Sequence, residues 1–79
     1  MATRIAPART GRIGDCYEYT RLGRKLSGVD RMTIDQMIAH SGAWPETWHC
    51  YDEGGVVVWA HAGAEVAPRD LPYALRPQQ

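Results

Sequence analysis

The clearest hydrophobic periodicity lies in residues 33–42, TIDQMIAHSG. At 100° per residue, Ile34, Met37, Ile38 and Ser41 fall on one side of a helix, while Asp35, Gln36, Ala39 and His40 face away. Thr33 and Gln36 have the spacing of a capping box, and Asp35 sits in the first turn where the helix dipole favours a negative charge. His40 sits in the last turn, and Gly42 is the expected left-handed stop. The period then changes from 3.6 to 2. Residues 13–21, IGDCYEYTR, alternate Tyr17, Tyr19 and Arg21 against Cys16, Glu18 and Thr20, which predicts a strand. LGRKLSGVD follows, with Gly23 and Gly28 as turn signals and room for a short strand between them.

Residues 48–61, WHCYDEGGVVVWAH, read as a β-hairpin. A two-residue Glu53–Gly54 turn pairs Tyr51 with Val56, Cys50 with Val57, His49 with Val58 and Trp48 with Trp59. A four-residue DEGG loop keeps the same pairs. Trp48, Cys50, Val57 and Trp59 then share one face, and Thr47, His49, Tyr51, Val56, Val58 and Ala60 share the other. A last edge strand is expected near residues 65–67, before a run of prolines. These elements predict one α+β domain spanning 1–79: a small antiparallel sheet of three or four strands with the 33–42 helix on one face. A flexible N-terminal arm (1–12) and a Pro-rich C-terminal tail (68–79) flank it. Ile34, Met37, Ile38, Val57 and Trp59 are the expected core.

Length limits what such a domain can do. A chain of 79 residues buries only about 60–65% of its unfolded surface and keeps a margin of ~3–5 kcal/mol. That leaves little room for a deep substrate cleft. The net charge is zero, against the basic footprint of a bulk nucleic-acid binder. The charges are segregated, however. Residues 1–31 hold seven basic and three acidic side chains, a net +4; residues 32–79 hold two basic and six acidic ones, a net −4. Cys16 and Cys50 have no CxxC spacing, MATRIAPARTGR has no apolar signal core, and no run approaches 18 apolar residues. The expectation is a soluble cytoplasmic protein with reduced thiols, with a disordered or edge-strand leader rather than a transit peptide.

The hairpin's own polar residues do not converge. His49 and Cys50 are adjacent in a strand and point to opposite faces, and His61 shares parity with Trp59 rather than with His49. Three or four ligands at about 2.0–2.3 Å, as zinc requires, are not gathered this way, so no metal ligand and no cofactor is expected. Cys16 or Cys50 with His40 or His61 is the remaining nucleophilic pairing, but neither cysteine has a helix N-terminus behind it. GxSxG, HExxH, Walker A and GxGxxG patterns are absent, so no catalytic residue is assigned and the chain is not expected to be an enzyme.

Two binding classes remain. TIDQMIAHSGAWPETWHCYDEGG resembles the second and third helices of a winged helix-turn-helix protein, with VVVWAHA as the wing. Its would-be recognition segment, PETWHCYDE, has three acids and no Lys or Arg, so it would repel phosphate. The other class is a protein-binding module. Trp44, Trp48, Tyr51 and Trp59 are dense for so small a chain, and one helix cannot cover both faces of the hairpin. Asp35, Trp44, Glu46, Tyr51, Asp52 and Glu53 are the expected partner-binding residues.

In size, α+β pattern and the wording of GDCYEYTRLGRKLSGVDRM and IAHSGAWPETW, the chain resembles the small anti-CRISPR proteins of phages and related mobile elements, in particular inhibitors of type I-C complexes. Those proteins share no motif, so the resemblance is to the whole chain and carries over no residue. It implies a monomeric, non-enzymatic inhibitor that binds protein subunits of a CRISPR effector (Cascade) complex in the host bacterium. Such an inhibitor blocks access to target DNA without itself binding nucleic acid or membrane. An acidic surface suits that role, because DNA-binding surfaces are rich in Lys and Arg. A small winged helix-turn-helix-like regulator is the alternative.

Overall fold

A computed structural model describes residues 12–77; the proposed arm, apart from Arg12, and the last two residues lie outside the described residues. The fold is α+β. Five antiparallel strands, β1 (Ile13–Tyr19), β2 (Asp30–Thr33), β3 (Trp48–Glu53), β4 (Val56–His61) and β5 (Ala64–Val66), form one sheet in the order β2-β1-β3-β4-β5. This is one strand more than the upper expectation. The single α-helix among the described residues, α1 (Ile34–Ala43), leaves β2 directly and crosses over one face to reach β3. No helix among the described residues is long and apolar enough to cross a membrane.

The capping box forms as read. Thr33 Oγ1 accepts from the Gln36 N–H at 3.1 Å, and Gln36 Oε1 accepts from the Thr33 N–H at 2.9 Å. Ile34, Met37 and Ser41 are buried, while Asp35, Gln36 and Ala39 are exposed. His40 departs from the expectation: at the flank of the helix it is only partly exposed and turns toward the sheet. Gly42 departs too. The helix continues to Ala43, and Gly42 lies beside Gly63, where a Cβ would make ordinary contact at 3.5 Å from the Gly63 Cα. The same contact is fastened by Ser41, whose hydroxyl donates to the Ile38 carbonyl at 2.6 Å and accepts from the Gly63 N–H at 2.9 Å.

The hairpin register is shifted by two residues from the expected one. The turn is Gly54–Gly55, and Glu53 pairs with Val56, Tyr51 with Val58, Cys50 with Trp59 and Trp48 with His61. A type I′ hairpin turn needs positive φ at both central positions, which Gly54 (56°) and Gly55 (87°) supply and Glu53 would not. A two-residue shift preserves parity, so the two faces are composed as expected. The core, however, lies on the face opposite to the one anticipated. Tyr51, Val58 and Ala60 pack with Cys16, Ile34 and Met37 beneath the helix. Val57 is 54% exposed, and Trp59 is only half-buried. The physical reason is size. Ala60 lets α1 approach the sheet, whereas the indoles need more depth. They pack with other rings instead, Trp59 against Tyr19 at 5.5 Å and Trp48 stacked on His61 at 3.8 Å.

Two further corrections concern the loops. Between Gly23 and Gly28 there is no strand, only an isolated bridge from Tyr19 to Lys25, whose ammonium lies 4.1 Å from the Tyr17 ring centroid. The second strand is instead Asp30–Thr33. Residues 45–53 form a turn and β3, not a second helix, so the helix-turn-helix arrangement is absent among the described residues. The Pro-rich segment makes two 3-10 turns, Pro68–Asp70 and Tyr73–Leu75, which bury Leu71 and Leu75. A Cβ on Gly23 would lie 3.3 Å from Ala74, so this segment packs beside the turn that follows β1.

The β4–β5 turn holds one strained residue, Ala62, at φ 53° before Gly63 at 88°. Asn tolerates this left-handed region far better than Ala and favours this turn. Ala62→Asn should therefore stabilise the protein by ~0.5–1 kcal/mol, visible as a melting temperature a few degrees higher. Ser41→Ala, which removes a buried hydroxyl with two partners, should cost ~1–2 kcal/mol in urea unfolding.

Candidate functional site

The strand order, with its crossover through α1, assigns the described parts of the basic and acidic stretches of sequence to different strands. The basic first part of the chain supplies β2, β1 and the loop between them at one edge of the sheet. The acidic remainder supplies β3, β4 and β5, with α1 packed mainly over β3 and β4. Of the residues expected to bind a partner, Asp35, Trp44, Glu46 and Asp52 are exposed. Trp44 and Glu46 border a shallow concavity of about 270 Å³ lined by Ala43–Thr47. Tyr51 is fully buried and offers no surface to a partner: it sits on the helix-facing side of the central strand β3. Glu53 is partly covered and ion-paired with Arg12, and Arg31 holds Asp15 at 3.1 Å.

These acids do not form one patch. Thr33 pairs with Ile13, which places the start of α1 at the hairpin-tip end of the sheet, with Asp52 and Glu53. Trp44 and Glu46 lie at the other end, where β3 begins. By strand rise the two groups are roughly 17 Å apart.

A second group was not anticipated. Glu18 on β1 pairs across the sheet with His49 on β3, and α1 brings His40 above them. Glu18 Oε2 lies 3.4 Å from His40 Nε2 and 3.3 Å from His49 Nε2, and the two imidazoles meet edge to face with centroids 5.4 Å apart. His49 is 2% exposed, and neither of its ring nitrogens has a hydrogen-bond partner. The Glu18 contact is close enough for an ion pair but not aligned as a hydrogen bond. Burial pushes the His49 pKa below its ordinary value despite the opposing pull of Glu18.

Parity arguments confined to the hairpin could not find this group. They did separate His49 from His61 correctly, since His61 stacks on Trp48 on the opposite face. The available signal was the parity of Glu18 on its own strand, which becomes informative only once β1 is known to lie beside β3.

Both cysteines are free and buried, on opposite faces of the sheet. Burial pushes the Cys16 thiol up to about 11 and the Cys50 thiol up to about 12, the reverse of what a thiolate nucleophile needs.

The fold and these groups define a small single-sheet α+β protein with a segregated surface charge and one buried histidine site. No protein-family model, curated protein or solved structure matches the chain.

The burial of both thiols predicts their behaviour toward a disulfide-exchange reagent such as DTNB. At neutral pH the native protein should react slowly, at the rate of opening, and release two equivalents only after denaturation. Immediate native labelling would contradict the buried positions of Cys16 and Cys50.

Proposed function

We propose that the protein is a non-enzymatic inhibitor that acts by surface binding, its acidic half occupying a Lys- and Arg-rich nucleic-acid-binding surface of a protein partner. The observation that carries this reading is that Asp35, Glu46 and Asp52 are all exposed, at the two ends of the part of the fold built from the acidic stretch of sequence. The partner implied by the resemblance to small anti-CRISPR proteins is a type I CRISPR effector complex. The step blocked is its binding of target DNA in the host cytoplasm. Surfaces of this kind steer association electrostatically and exclude nucleic acid by occupying its phosphate contacts. The exposed Trp44 beside Glu46 supplies an aromatic anchor of the sort that concentrates binding energy in interfaces. Residues 45–53, which form a turn and β3 where a recognition helix would lie, weigh against the helix-turn-helix alternative.

The test uses a purified type I-C effector complex and labelled target DNA. The protein should abolish DNA binding by the complex while showing no affinity of its own for free duplex at physiological salt. The triple variant Asp35→Lys, Glu46→Lys, Asp52→Lys should melt within ~1 kcal/mol of the parent, since exposed charges contribute little to stability. Its association with the complex should slow by on the order of tenfold or more and lose most of its salt dependence. Salt-sensitive micromolar binding to free duplex would overturn the reading. So would full inhibition by the triple variant together with loss of inhibition on Arg21→Glu and Arg24→Glu, which would place the interface on the basic half.

A further inference from the structure

We propose that Glu18, His40 and His49 form a binding site for a divalent transition metal ion, zinc by its donor set, which clamps α1 to β1 and β3. This goes beyond the inhibitor reading and does not depend on it.

The first argument is distance. Zinc bonds imidazole nitrogen and carboxylate oxygen at about 2.0–2.2 Å, so two ligand atoms of a tetrahedral site stand roughly 3.3–3.5 Å apart. Glu18 Oε2 lies 3.4 Å and 3.3 Å from the two Nε2 atoms, which matches two edges of that tetrahedron. All three donor atoms lie within 4.8 Å of one another. His40, at the partly exposed flank of α1, is the ligand free to close the third edge. Among the described residues this is the one group of three His, Cys, Asp or Glu side chains so arranged.

The second argument is the state of His49. Its imidazole is almost wholly buried, aimed at Glu18, and has no hydrogen-bond partner on either nitrogen. A buried polar group without a partner is costly, and an ion at Nε2 would satisfy the nitrogen facing the cluster.

Space and access agree. A crevice lined by Cys16, Glu18, Asp30, Met32, His40 and His49 leaves about 10 Å³ for the centre of a water-sized particle, room for a single bound species. The partial exposure of Glu18 and His40 gives the ion a route in and leaves a fourth position for water. Two imidazoles with one carboxylate select zinc and its transition-metal neighbours over magnesium and calcium, which take six or more oxygen ligands.

Metal-stripped protein titrated with Zn2+ by calorimetry, with metal analysis after dialysis, tests this directly. One equivalent should bind, Co2+ in its place should give the intense visible spectrum of a tetrahedral site, and Zn2+ should raise the melting temperature where Mg2+ does not. His40→Ala, at a partly exposed helix position, should stay folded and weaken Zn2+ binding by more than the ~10–100-fold that loss of a mere supporting partner costs. His61→Ala, on the opposite face, should bind as the parent does. Histidine-selective 15N NMR of the unaltered chain makes the test independent of any variant's folding: Zn2+ should shift the Nε2 signals of His40 and His49 and leave His61 in place. Absence of saturable one-equivalent binding would overturn the proposal, as would unchanged affinity in His40→Ala or a shift confined to His61.

Discussion

β1 pairs with β3 although the two strands lie far apart in sequence, and most of the molecule's properties follow from that one antiparallel ladder. β2 folds back on the outer side of β1, so the chain must cross the sheet as α1 to enter β3 on the inner side. The crossing lays the helix over β3 and β4 and gives the sheet a covered face. The ladder brings Cys16 beside Tyr51 in the core and Glu18 opposite His49 at its edge. It also opposes Asp15 to Asp52, two like charges directly across from each other, an unfavourable arrangement that Arg31 offsets at Asp15. Without β1 neither the core nor the histidine cluster would form.

How much of this was legible in the sequence follows from the range of each interaction. The helix and its capping box were readable because every contact that defines them lies within four residues. The two faces of the hairpin were readable because side chains alternate with a period of two, and even a misplaced turn left that parity intact. A turn read at Glu53–Gly54 lies one residue early, since glycine at both Gly54 and Gly55 supplies positive φ without strain. The choice of buried face was not readable. It depends on Ala60 admitting a helix that arrives from another part of the chain, against the larger rings of the opposite face. Tyr51 shows the consequence: an aromatic residue amid acids looks like a surface anchor, yet its position on the covered side of the central strand makes it core.

The histidine cluster was illegible for the same reason, more sharply. Its three members come from β1, α1 and β3, and no two are neighbours in sequence. Parity alone put Glu18 and His49 on definite faces of their own strands, but whether those faces coincide is decided by a long-range pairing that no local pattern announces. His40 was assigned outward by the helical wheel, and its actual position at the flank shows how much latitude such a wheel leaves at its border.

Position links the cluster to the exposed acids. His40 lies in the last turn of α1, directly before the Trp44–Thr47 turn, and His49 lies one residue after the start of β3. Together they bracket the segment that displays Trp44 and Glu46. At the other end of the helix, the capping box and the pairing of Thr33 with Ile13 fix Asp35 near the hairpin tip. A surface made of residues from α1, the turn after it and the hairpin is defined only if the helix holds one position on the sheet. In so small a core that position rests on Ile34, Met37, the Ser41–Gly63 contact and the Glu18–His40–His49 group. The cluster, from the last turn of α1 to the start of β3, therefore lies where the position of the helix on the sheet sets the separation of the two groups of exposed acids.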